Sequence, residues 1–448
     1  MFPVDVHQRR KVVILGAGGR DFHNFNVLYR HRPEIEVVAF TAAQIPFQQN
    51  RCYPPELSGP NYPRGIPIVD EKELPSLLAT KDVEVVFSYS DISHQQLMTI
   101  ASDVLALGSQ FILPSIEQTM LSASVPVLSV CAVRTGCGKS PLVRFLCKLL
   151  IAEGQRPVVV RHPMAYGDLE GRAVQRISAE VDLQESLWTL EEREEFEPLL
   201  NLGVSVYCGV DYQAILDEAE KAGDLIIWDG GNNDTPFFRP DLEVVLLDPL
   251  RAGDEIEYYP GQVNLRRANV LVMNKVDEAS QQQLDRVQDN IQELNPTADV
   301  IEGRLEVLLD NPQALQGKRV VVVEDGPTVT HGGMAYGAGM VAAQRYGASE
   351  VVDPRSVAHG SLRAVYESWP HLSRVLPAMG YTVQQLEDLR LTLEKVDCDL
   401  IVSATPVDLN RLLQLKKPIE QVRYEFIEQN KNEMHELILA WLHQQRSS

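Results

Sequence analysis

An α/β fold is predicted for this chain of 448 residues, and three observations predict it. Short apolar runs recur along the whole length, each closing on Gly, Asp, Asn or Pro, as the buried strands of a parallel sheet do. Stretches with apolar residues at helical spacing separate them, giving the βα alternation of a sheet covered by helices. One apolar run leads directly into Gly138-Lys139-Ser140 and then a helical pattern. That is the strand–loop–helix order in which backbone N–H groups at a helix start receive phosphate.

The first segment, residues 1–123, carries "KVVILGAGG", "EVVAFTA", "VEVVFSY" and "QFILPS" at βα spacing, and a Rossmann-like domain is expected. "YPPELSGPNYPRGIP" between them reads as a Pro/Gly-rich loop, longer than a tight turn. The second segment, 124–316, carries "VPVLSVCAV", "RPVVVRHP", "DLIIWDGGNND", "LEVVLLDP" and "ANVLVMNKVD" as strands, with "TADVIEG" expected to close it. Its "TLEEREEFEPLL" has Thr189 and Glu192 at capping-box spacing, and the acidic residues read as a solvated helix face. The third segment, 317–448, begins near "GKRVVVVEDGPTVTHGGMAYG" and is expected to be a smaller α/β unit, with strands at "CDLIVSATP" and "QVRYEF". Met434, Leu437, Ile438 and Trp441 share one face of a last helix, as core or as a homodimer contact.

Composition narrows the function. Hydrophobic residues make up 44% and charged ones 23%, as in ordinary globular chains. A net charge of -21 repels nucleic acid and anionic membrane surfaces, so any phosphate ligand must be held by local cations. No apolar run approaches the roughly 20 residues of a membrane helix. The opening residues run into a strand pattern without a secretory signal. Six cysteines without a C-x-x-C pair suit a reducing cytoplasm rather than a disulfide framework or zinc site.

"CAVRTGCGKSPLVRFL" lacks the first glycine of G-x-x-x-x-G-K-[ST], since position 133 is Val133. Arg134 lies five residues before Lys139, the spacing at which deviant Walker A loops carry a signature lysine, so a P-loop nucleotide domain of that type is expected. Thr135, Gly136, Gly138, Lys139 and Ser140 would cradle the phosphates, with Ser140 on Mg²⁺. "LIIWDGG" ends a strand on Asp229, the position of the acid that holds Mg²⁺. "VLVMNKVD" supplies Asn274, Lys275 and Asp277, the N-K-x-D pattern by which GTPases read guanine. Three such motifs in order, each at its own strand end, read as a nucleotide phosphate site.

Other loops offer acceptor groups. "GAGGRDFHNFN" starts like a dinucleotide fingerprint, but Asp21 replaces the third glycine and no ribose-binding acid ends the next strand, which argues against NAD. Arg20 and His23 there suit a small anion, as do Arg161 and His162 of "VRHPMAYGDL" and Arg251 of "DPLRAGDE". Thr328, Thr330 and His331 precede a helix start that offers another anion site. Each of these loops also reads simply as a polar turn.

Taken together, "AVRTGCGKS", "VRHPMAYGDL", "TLEEREEFEP", "IIWDGGNND", "DPLRAGDE", "YPGQVNLRRANVLVMNK" and "VEDGPTVTHGGMAYGAG" resemble the cyclic 2,3-diphosphoglycerate synthetase family, across nearly the whole chain. The resemblance implies an ATP- and Mg²⁺-dependent ligase: ATP phosphorylates one substrate phosphate, and its neighbour displaces inorganic phosphate to close the ring. Lys139, Arg134, Asp229, Arg161 and His162 would be catalytic. Arg20, His23, Arg251 and His331 would hold a small polyanion across the boundary of the first two domains. A regulatory or metallochaperone-type GTPase is the alternative that Asn274-Lys275-x-Asp277 favours.

Overall fold

In the computed structural model, residues 9–42, 51–79, 82–162, 169–179, 182, 188, 190–330, 334–372, 374–379 and 382–447 are described. The first sheet has six strands in the order Arg51–Tyr53, Ile66–Asp70, Ile35–Ala42, Arg10–Leu15, Val83–Phe87, Gln110–Ile112. All neighbours are parallel except the edge strand Arg51–Tyr53. Chain order runs outward in both directions from Arg10–Leu15, so the loop after that strand sits at a topological switch point, where ligands of open α/β sheets bind. Val12, Val13, Ile14 and Leu15 are fully buried because both sheet faces are covered. Phe22 and Phe25 of the helix Arg20–Leu28 pack on one face with Ile14 and Phe40. Leu74, Leu97 and Val104 pack on the other with Val13 and Leu15. The Pro/Gly-rich loop holds a one-turn helix, Pro55–Ser58, and returns as the strand Ile66–Asp70.

The second sheet has thirteen strands and runs unbroken through the central and final segments. Its central part places Val127–Ala132 between Leu225–Asp229 and Leu242–Leu247, with Pro157–Arg161 and Val270–Met273 outside them, all parallel. "TADVIEG" does not close this part. It opens an eleven-residue strand, Asp299–Leu309, whose first half pairs with Val270–Met273 and whose second half pairs antiparallel with Ile419–Glu428. A single strand therefore carries the sheet into the last segment, where a second core forms around Arg319–Glu324 and Leu400–Ser403. The last helix, Glu433–Ser447, returns to the central core: Met434, Ile438 and Trp441 are buried there, and Leu437 packs beside them. Their stripe is thus a core face.

The acidic helix Leu190–Leu200 overturns the reading of its charges as a solvated face. Glu192, Glu194 and Glu197 are all buried. A buried carboxylate needs a partner, and these have them: Arg172 for Glu192, Thr405 for Glu194, and Arg193 and Arg411 for Glu197. Thr189, its expected cap, lies outside the described residues. No described helix is long and apolar enough to cross a membrane.

Candidate active site

The carboxyl ends of Pro157–Arg161, Leu225–Asp229, Val127–Ala132, Leu242–Leu247 and Val270–Met273 present Arg161, Asp229, the 133–138 loop, Asp248 and Asn274 along one edge. The loop turns on Gly136 and Gly138, whose φ angles of 83° and 100° favour glycine. A Cβ at Gly138 would also collide with the Asn274 amide. The loop is fastened from behind. Asn274 Nδ2 donates to the Cys137 carbonyl at 2.8 Å, Lys275 Nζ to the Gly136 carbonyl at 2.8 Å, and Arg251 to the Thr135 carbonyl at 2.8 Å. Asp248 binds both cations, Lys275 at 2.8 Å and Arg251 at 2.9 Å. Burial opposes its ionisation, but those two charges outweigh it and hold its carboxyl below the usual range. Arg251, expected among the acceptor ligands, and Asn274-Lys275, expected beside the base, thus hold the loop backbone. Asp277 is exposed.

The helix Lys139–Ala152 starts at Gly138 with no side-chain cap, so its first N–H groups can serve an incoming anion. The first domain's glycine loop differs. Asp21 accepts from Gly18 N at 2.9 Å, from Gly19 N at 3.1 Å and from Phe22 N at 2.8 Å. Its own carboxylate therefore fills the place a pyrophosphate would take. The second loop has no such internal carboxylate at its helix start.

Lys139 Nζ donates to the Asn232 carbonyl, on a residue turned to φ 43° just after the Asp229 strand. Ser140 Oγ lies 3.1 Å from Glu195 Oε2. Glu195 also holds Arg161 at 3.0 Å, and Arg161 pairs with Asp229. Burial pushes the Asp229 carboxyl up, opposed by Arg161 and reinforced by Glu195. Asp229 Oδ1 is buried and has no hydrogen-bond partner among the described residues. Two carboxylates sharing one guanidinium, with an orphaned oxygen beside them, suit a divalent cation. No described group of three or more His, Cys, Asp or Glu side chains forms a metal cage, and Mg²⁺ bound partly through phosphates needs none. Sequence reasoning missed Glu195. Its signal was available: a helix with acids on every face cannot keep them all in water once it packs.

A second cluster lies in the seam between the first domain and the strand ends. Asp234 binds Arg20 Nε at 3.1 Å and His162 Nε2 at 3.0 Å. Burial works against its charge, but Arg20 and His162 bring its carboxyl to about 2. Arg20 also donates to Thr119 and to Thr235, and its guanidinium lies 4.2 Å over Phe237. His23 is stacked on Phe237 at 4.0 Å and donates from Nε2 to the Thr119 carbonyl at 2.6 Å. Burial, then the charge of Arg20, lowers it to about 3. A Cβ at Gly231 would sit 2.6 Å from the His162 ring, so "DGG" makes room for it. Arg20 and His23, expected to meet a free polyanion, are committed to joining the two domains. His331 and residues 163–168 lie outside the described residues.

Arg134 points away from the loop. Its Nε is 2.8 Å from Asp91 Oδ1, its NH1 2.7 Å from Asp254 Oδ2, and its Cζ 3.6 Å above the Tyr258 ring. Asp91 comes from the first domain's "SYSDIS" loop and also lies 2.7 Å from the Thr135 hydroxyl.

No protein-family model matches the chain. Arginine synthetase ArcE of Thermococcus kodakarensis is 49% identical over 435 residues, spanning 97% of each chain. Cyclic 2,3-diphosphoglycerate synthetase of Pyrococcus furiosus is 24% identical over 265 residues, covering 50% of this chain and 61% of that one. The second likeness is narrower than the near-complete one the motifs implied. Among solved structures, LpxK of Aquifex aeolicus, in complex with ATP, is 15% identical with a TM-score of 0.46, covering 77% of this chain and 95% of that one. At nearly half identity from end to end, the first relative decides the matter: the chain belongs to the arginine synthetase ArcE family.

Proposed function

We propose that this chain is an ATP- and Mg²⁺-dependent synthetase whose product is arginine. The observation that carries the reading is the end-to-end likeness to an arginine synthetase; the uncapped phosphate loop at Gly138 supports the nucleotide chemistry. The guanidinium carbon of arginine can be reached from a ureido group, as in citrulline, but oxide is a hopeless leaving group. Phosphoryl transfer from ATP to the ureido oxygen forms the O–P bond and releases ADP. Ammonia then attacks the carbon, and the C–O bond breaks with the oxygen leaving in inorganic phosphate. A ring-closing synthetase of diphosphoglycerate would follow the same plan, activating an oxygen and displacing it.

This chain's residues divide the work. The N–H groups at the start of Lys139–Ala152 and the Lys139 ammonium neutralise charge on the transferred phosphoryl group. Ser140, Asp229 and Glu195 would hold Mg²⁺, which screens the phosphates when bound. Arg161 balances Asp229 and Glu195. The first domain, locked on through Arg20 and Asp234, places Asp91 beside the loop.

The test is arginine formation from citrulline, ammonia and either ATP or GTP, with 2,3-diphosphoglycerate as a parallel substrate. Arginine with ATP is expected. Cyclic diphosphoglycerate instead of arginine refutes the reading. Preference for GTP would return the base contact to the Asn274–Asp277 loop.

A further inference from the structure

We propose that Asp91, Asp254 and Tyr258 form a guanidinium site for the arginine side chain, one that Arg134 fills from within until nucleotide draws it away. The proposal rests on the arginine reading above and names where that ligand's charged end is held.

A guanidinium already occupies this site, and it leaves Asp91 Oδ1 without a hydrogen bond among the described residues. Asp254 Oδ2 accepts from Arg134 NH1 at 2.7 Å, Asp91 Oδ1 lies 2.8 Å from Arg134 Nε as an ion pair without hydrogen-bond alignment, and an aromatic ring covers the guanidinium face at 3.6 Å. One charge-assisted bond to Asp254, a second carboxylate beside it and a cation–π contact together favour a planar cation over a point charge. The pieces come from two domains. Asp91 lies in the first-domain loop, with its backbone at φ 60° and its N–H donating to Asn233 Oδ1 at 2.8 Å. Asp254 and Tyr258 follow the strand Leu242–Leu247, and Tyr258 pairs antiparallel with Ser93 of the first domain. The Thr135 hydroxyl, 2.7 Å from the other Asp91 oxygen, sets the site against the phosphate loop.

What needs explaining is why a phosphate-loop arginine faces two carboxylates. Arg134 is attached to the loop, so it competes with free arginine at a high effective concentration. Phosphates on the loop offer its charge a second partner. When Arg134 turns to them, Asp91 and Asp254 lose the cation that compensates their partly buried charges, which is costly until another takes its place. The guanidinium of arginine is that cation. Nucleotide and arginine therefore bind with positive coupling through one side chain, and the coupling must be reciprocal.

Calorimetry on the full chain tests this, with L-arginine as one ligand and a β,γ-imido analogue of ATP with Mg²⁺ as the other, a pair that cannot react. In the wild type the analogue should tighten arginine by about 5- to 150-fold, and arginine should tighten the analogue by the same factor. In Arg134→Gln arginine should bind without nucleotide as tightly as it binds the wild type with it, and the coupling should vanish. Asp254→Asn should weaken arginine about tenfold or more and leave the analogue alone within about threefold; Tyr258→Leu provides a second arm if the Asn variant does not fold. Coupling that persists in Arg134→Gln, or unchanged arginine affinity in both cage variants, overturns the proposal while the arginine reading stands. A wild type that binds no arginine in either state and makes none from citrulline overturns both.

Discussion

The seam between the first domain and the strand ends should be acid-labile, and His23 should cause it. His23 is 1% exposed and pressed flat on Phe237, so protonation in place would bury a charge next to the Arg20 guanidinium. Its folded value lies at about 3, against 6.5 for an unhindered histidine. A folded value below the unfolded one means that the open chain binds more protons between those limits. Stability is therefore fully present above pH 6.5 and drains away as pH falls towards 3. At about 1.4 kcal/mol per unit, the loss comes to about 2 kcal/mol at pH 5 and about 5 kcal/mol for the whole shift. Hydrogen exchange of peptides covering Arg20–Leu28 reads this locally, where a multidomain melt would blur it. Between pH 7.5 and pH 5, protection there should fall about 30-fold after correction for intrinsic rates. His23→Gln, which keeps a donor for the Thr119 carbonyl, should flatten the profile. A wild type with level protection, or a His23→Gln variant with the same slope, refutes the reasoning.

The same experiment carries an opposite prediction. Glu324 is buried and accepts from Gly337, Gly339 and Met340 N–H groups, yet burial raises it to about 7. Its unfolded form sheds the proton near 4.5, so its segment is favoured below that and loses about 3 kcal/mol as pH rises through 7; Glu324→Gln should abolish that trend in peptides covering Ala338–Arg345. Lys139→Ala should cut turnover by at least a hundredfold while circular dichroism is unchanged, because its charge acts in the transition state; turnover within threefold would remove the loop from catalysis. Glu195→Gln should raise the Mg²⁺ concentration needed for half-maximal turnover by about 10- to 100-fold, as loss of a residue orienting metal ligands does. Asp21→Ala should cost about 1–3 kcal/mol of stability, because the Gly18, Gly19 and Phe22 N–H groups lose their acceptor, and leave nucleotide KM unchanged; a changed KM would make that loop part of the nucleotide site.

The strand positions were legible because both faces of each parallel sheet are covered, so the strands read as unbroken apolar runs. The phosphate loop, Asp229 and the acids and amides at the strand ends could be placed for the same reason, since each follows such a run. What failed to show was long-range. Nothing local in "TADVIEG" says that its strand continues to Leu309 and turns from a parallel to an antiparallel partner. Nothing local in "TLEEREEFEPLL" says that Glu194 and Glu197 meet Thr405 and Arg411 more than two hundred residues on. Asp91 was missed because a single aspartate in a polar loop has no pattern; only the pairing of Tyr258 with Ser93 brings it to the phosphate loop.

The two glycine loops show why the residue at the helix start decides more than the glycines do. Both follow a strand with parallel neighbours on either side, and both bring backbone N–H groups to a helix start. In the first, Asp21 supplies a carboxylate from inside the helix, and Gly16 must be a glycine because a Cβ there would lie 2.6 Å from that carboxylate. In the second, the helix opens with Lys139 and Ser140, which offer no acceptor that fills the donors. The glycine pattern is the same physical answer to two different needs, making room for an internal anion or for an external one. The same exchange of internal for external charge recurs at Arg134, Arg161 and Arg251, each of which meets a carboxylate of the chain itself. In a protein of net charge -21 these strand-end arginines are thus already paired, whereas Lys139 donates to a backbone carbonyl instead. Where phosphate takes up the charge of a paired arginine such as Arg134, its ion pairs must part, so that share of binding should depend on salt less through bulk screening than through the cost of opening them.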